Sequence, residues 1–140
     1  MSAAPIAPPN KAQAGQRYTW ISAAMAFVLW GSWAGYINAD HGFWRGLFSG
    51  LTQGLCSLVI TLIMTRALEW QYNALSIRFL KIVLPPIATV LVTGTSLVAI
   101  HYLIGTPNIA QTVTPALSVA ILFGFMTTAR LAKPTSADSH

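Results

Sequence analysis

Charged side chains are missing from three long stretches of this chain, positions 18–39, 46–65 and 82–129. A helix needs about 20 mostly apolar residues to cross the hydrocarbon core of a bilayer. The first two stretches each hold one crossing. The third is long enough for two, and Gly105, Thr106, Pro107 and Asn108, shortly after His101, supply a turn that divides it. The pattern predicts crossings at Tyr18–Asn38, Phe43–Ala67, Ser76–Leu103 and Pro107–Arg130. Backbone groups in lipid must be satisfied internally, which leaves helices or a closed barrel. Barrel strands alternate polar and apolar residues over about ten positions. Cys56–Met64 does not alternate, so the expectation is an all-α polytopic membrane protein. Its four transmembrane helices should form two antiparallel hairpins, with both termini cytoplasmic.

The segments between crossings refine this picture. Residues 1–17, rich in Ala and Pro, are expected to be a flexible cytoplasmic tail, and 132–140 a second short one, with 18–131 the membrane domain. The apolar run after Arg17 is long for a secretory leader, and Trp20, Trp30 and Trp33 suit a retained helix. Asp40, His41 and Gly42 make a tight external turn, followed by Phe43 and Trp44 where an aromatic belt belongs. Glu69–Asn73 is expected to be the middle loop and Ser76 the N-cap of the third helix. Pro85 and Pro86 should disturb that helix, Pro107 should open the fourth, and Pro115 should interrupt it by removing a backbone donor.

Small residues recur with helical spacing. Gly42, Gly46, Gly50 and Gly54 fall every fourth residue, and Gly31 and Gly35 add a pair in the first crossing. Residues four apart stack along one face of a helix, so these glycines leave a groove for close approach of another helix. Ala116, Ala120 and Gly124, followed by Thr128, make a similar stripe in the fourth crossing. A shift of 62 positions superposes Thr52, Leu55, Met64, Thr65 and Ala67 on Thr114, Leu117, Met126, Thr127 and Ala129, a signal of an internal repeat.

The chain has 140 residues, 54% of them hydrophobic and 8% charged, against about 25% charged in an average soluble domain. The net charge of +5 is distributed as a topology signal. Lys11, Arg17, Arg66, Arg78, Lys81, Arg130 and Lys133 flank one side of the crossings and only Arg45 flanks the other, which places the termini and middle loop in the cytoplasm. Nucleic acid is therefore not an expected partner. The lipid bilayer and other membrane helices are, either as a homo-oligomer or as a partner subunit. The expected location is a bacterial-type inner membrane.

Readable chemistry is sparse. There is no Asp, Glu, Lys or Arg at mid-membrane depth, where proton relays and ion-coupled carriers place them. HExxH and GxSxG motifs are absent, and three carboxylates leave few acid/base pairs. Asp40, His41 and His101 come from separate turns without ligand spacing, so no metal or cofactor is expected. Cys56 has no partner for a disulfide and is expected to be a small buried hydrophobe. Thr52, Gln53, Gln111, Thr112 and Thr114 collect near the external ends of the second and fourth crossings and are the candidates for a polar cavity. Two functions follow: a non-catalytic subunit or accessory factor of a membrane assembly, or a small oligomeric channel or uncoupled transporter for a neutral or amphipathic solute.

Overall fold

The computed structural model describes residues 4–8 and 10–134, so part of each expected tail lies outside the described residues. The described chain is helical: α1 (Lys11–Asn38), one 3-10 turn (Ala39–His41), α2 (Phe43–Ala74), α3 (Arg78–Ile104) and α4 (Ile109–Leu131). All four α-helices are long and apolar enough to cross a membrane. The shortest has 23 residues, about 35 Å at 1.5 Å per residue, against a hydrocarbon core of about 30 Å. Large apolar side chains face outward along every helix, among them Met25, Leu55, Leu91 and Leu122. In water such a surface would drive association, whereas lipid solvates it. The fold is that of a multi-pass membrane protein.

Several helix ends depart from the sequence expectation. α1 starts seven residues before Tyr18. The Asn10 side chain accepts from the Gln13 backbone N–H at 2.8 Å, and Gln13 Oε1 accepts from the Asn10 N–H at 3.3 Å. This reciprocal capping box satisfies two donors of the first turn and outweighs the proline-rich flank. α2 runs through Glu69–Asn73, the expected loop, and stops at Ala74. The N-cap of α3 is Ile77 rather than Ser76, with no side-chain cap. Pro107 lies before Asn108, the N-cap of α4, and so stands outside the helix. α3 ends at Gly105, whose φ of +75° is the left-handed conformation common after a helix; the Thr106 N–H closes onto the His101 carbonyl at 2.9 Å.

The largest interface joins α1 to α2, and glycines make it. A Cβ added to Gly50 would lie 2.9 Å from the Gly31 carbonyl oxygen, and one added to Gly46 3.0 Å from that of Gly35. A Cβ on Gly54 would meet Phe27 at 3.0 Å. The contacts reverse in order along the two helices, Phe27 with Gly54, Gly31 with Gly50, Gly35 with Gly46. Gly42 stands apart from this seam. It caps α2 with a φ of +108°, and a Cβ there would touch nothing within 4 Å. Its requirement is the backbone turn, not close approach.

The second pair, α3 and α4, packs differently. Gly94 receives Leu117, and Gly124 receives Pro86. At a shift of 62 positions, Gly31, Gly35, Gly46 and Gly50 fall on Thr93, Leu97, Asn108 and Thr112. The glycine seam therefore has no counterpart in the second pair. Ala116 and Ala120 line a cavity between the helices.

Candidate functional site

Most of the buried polar residues gather at the end of the bundle that holds the 3-10 turn and the α3–α4 connection, while Thr89 and Thr128 lie toward the other end. Asn38, Gln53, His101 and Thr112 are fully buried, and Ser49 and Thr106 nearly so. They form two clusters, one between α2 and α3 and one between α1 and α4.

In the first, the His101 ring bridges Gln53 and Thr106. Its Nε2 lies 2.8 Å from Gln53 Oε1 and its Nδ1 2.7 Å from Thr106 Oγ1. The Gln53 amide donates to Ser57 Oγ at 3.4 Å, which leaves its oxygen to accept from His101. Ser49 donates to Thr106 at 3.2 Å, and the Thr106 hydroxyl is then free to donate to Nδ1. This chain of donors fits a neutral imidazole with its proton on Nε2. Arg45, on the first turn of α2, donates to the Gly105 carbonyl at 2.7 Å and ties the start of α2 to the end of α3.

In the second cluster, Asn38 uses its whole amide. Its Nδ2 donates to the Ala34 carbonyl and to Thr112 Oγ1, both at 2.8 Å, and its Oδ1 accepts from the Asn108 N–H at 2.9 Å. Asn108 Nδ2 donates to the Ile37 carbonyl at 3.1 Å, and Thr112 returns its proton to the Asn108 carbonyl at 2.7 Å. Among the described residues, no buried side-chain nitrogen or oxygen lacks a partner.

Two of the three prolines inside helices are closed in the same way. Pro115 has no N–H for the carbonyl four residues back, that of Gln111. Trp33 of α1 donates its indole N–H to that oxygen at 2.9 Å. Pro86 likewise frees the Ile82 carbonyl, and Thr128 of α4 donates to it at 2.8 Å. The Gln111 and Ile82 carbonyls thus become attachment points for neighbouring helices, and α3 and α4 remain helical through their prolines.

The five residues expected to line one polar cavity are distributed among different environments. Gln53 belongs to the His101 cluster and Thr112 to the Asn38 cluster. Thr114 is exposed and donates to the Ala110 carbonyl of its own helix at 2.6 Å. Gln111 contributes its backbone carbonyl, and its side chain is exposed. Thr52 is half-buried. His101 and Asn38, both central to the clusters, stand at the ends of their segments beside turn residues, where a sequence pattern reads as interface. Their partners lie 48 and 74 positions away, beyond the reach of any local spacing signal. His101 sits inside the bundle, whereas Asp40 and His41 are exposed at the 3-10 turn. Among the described residues, no three His, Cys, Asp or Glu side chains are grouped to hold a metal ion. Cys56 is a half-buried free thiol.

The chain matches no family model, no curated protein and no solved structure.

Proposed function

We propose that this chain is a non-catalytic structural subunit or accessory factor of a membrane assembly, built as two antiparallel transmembrane hairpins with both termini cytoplasmic. The observation that carries the reading is the closure of the polar core. The buried side chains hydrogen-bond to one another or to backbone, and the carbonyls freed by Pro86 and Pro115 are taken by Thr128 and Trp33. A transport path or a catalytic pocket needs polar groups left free for a solute. Groups that satisfy one another instead fix helix positions. The topology rests on seven basic residues on one side of the crossings against one on the other. A bacterial-type inner membrane suits that bias.

The test is the mass of the particle extracted from its native membrane in mild detergent. The subunit reading expects this chain within a heteromeric particle of fixed stoichiometry. A particle made only of copies of this chain would favour the second reading, a small channel or uncoupled transporter, which the hydroxyl-rich helices support.

A further inference from the structure

A cavity of about 280 Å³ is cut into the bundle between α1 and α4 and reaches α2 and α3. Tyr18 of α1 and Val119 and Phe123 of α4, all exposed, stand at its mouth. Ser57 and Met64 of α2 and Leu97 of α3, each at most 6% exposed, form its floor. The mouth therefore opens on the apolar surface that lipid solvates. Among the described residues no charged side chain lines the cavity. The wall is not wholly apolar. Thr61 and Thr93 direct their hydroxyl protons to the Ser57 and Thr89 carbonyls of their own helices at 2.7 and 2.8 Å. Ser22 and Trp30 of α1 also line it, and neither they nor Ser57 donate to any described group.

Those three donors select the occupant. The hydrocarbon core has no water to take a proton, so a donor there needs another partner. The Trp30 indole N–H can only donate. Ser57 accepts from the Gln53 amide at 3.4 Å and still has its own proton to give. The Tyr18 phenol stands apart at the exposed mouth. An uncharged acceptor oxygen is the common complement of these groups, since a charge in this cavity would find no counter-ion. The rest of the lining is apolar, with Trp30 from α1 and Phe123 from α4 adding aromatic faces. An apolar cavity of about 150 Å³ accepts one benzene ring, so this one has room for a body of about two rings.

We propose that this cavity holds one neutral, lipid-soluble molecule with a ring-sized apolar body and a carbonyl-type oxygen, held by Ser57, Trp30 and Ser22 and entered from the lipid between α1 and α4. The closed Gln53–His101 cluster stands behind Ser57, so the cavity is a seat with one mouth and not a path. This goes beyond the subunit reading and rests only on the membrane-spanning fold. Tetralone and tetralin, two neutral bicyclic molecules that differ by one carbonyl, are the probes. Their binding to the purified full chain is measured by equilibrium dialysis against protein-free micelles of the same detergent. The wild-type chain should bind tetralone about tenfold more tightly than tetralin. Trp30→Phe with Ser57→Ala should bring the two probes to the same affinity and leave that of tetralin unchanged. Ala120→Trp, which fills the cavity, should abolish binding of both, while Leu122→Trp, on the outward face of the same helix, should alter neither. Equal affinity of the wild-type chain for the two probes would overturn the proposal. So would a preference for tetralone that survives Trp30→Phe with Ser57→Ala, or binding unaffected by Ala120→Trp.

Discussion

Proline and tryptophan act as a pair at the level of single residues. Pro115 leaves the Gln111 carbonyl without its helical donor, and Trp33 supplies one from another helix. In lipid no water can replace that donor, so the loss of the indole leaves an acceptor unsatisfied at a cost of about 1–3 kcal/mol. Trp33→Phe should lower thermal stability in detergent by that amount. In a Pro115→Ala background the restored backbone N–H satisfies the carbonyl, and the same Trp33→Phe change should cost clearly less. Equal losses in the two backgrounds would mean that the tryptophan acts through packing alone. Thr128 and Pro86 repeat the arrangement, and Thr128→Val should behave as Trp33→Phe does, without changing side-chain volume much. The prolines were visible in the sequence as interruptions and their freed carbonyls followed from chemistry. The donors were not visible, because Trp33 lies 78 positions from Gln111 and Thr128 lies 46 from Ile82.

Between elements, the seam of α1 and α2 turns on backbone approaching backbone. A methyl group at Gly50 would press on the Gly31 carbonyl, which cannot move aside as a flexible side chain could. Gly50→Ala should therefore already destabilise, and Gly50→Leu should cost more, about 1–3 kcal/mol of overpacking or above. Leu51→Ala removes an outward-facing side chain, 45% exposed, and should be milder. Gly15→Ala, with open space around it, should be neutral or slightly stabilising. Detergent melting curves of the four variants check the order, and equal midpoints for Gly50→Leu and Leu51→Ala would remove the seam from the account. Gly31, Gly35, Gly46, Gly50 and Gly54 share a spacing in the sequence, and the structure brings each against the facing helix. Gly42 shares the spacing but serves the turn, a distinction that depends on φ and that periodicity cannot make. The α1 start was also written in the sequence, as Asn10 and Gln13 three apart, but the surrounding prolines masked it.

For the molecule as a whole, the four crossings expected from the sequence correspond to four helices long and apolar enough to span a membrane, because bilayer thickness constrains length so strongly. Their orientation is a prediction from charge. On a Cys56→Ser background, Asp40→Cys and Asn108→Cys should label from outside the cell and Trp70→Cys only from the cytoplasm; the reverse pattern would invert the topology. The interior was less legible. Threonine, serine and glutamine read alike as cavity lining or as structural bonds, and only the distances separate the two. Those distances close the polar groups on one another, and the central claim is that the bundle offers no path for a solute. Glycerol uptake into vesicles that contain the purified chain tests this most directly. The predicted result is uptake no faster than in protein-free vesicles, for the wild-type chain and for Gln53→Leu alike. Uptake well above that background, lost on Gln53→Leu, would contradict it.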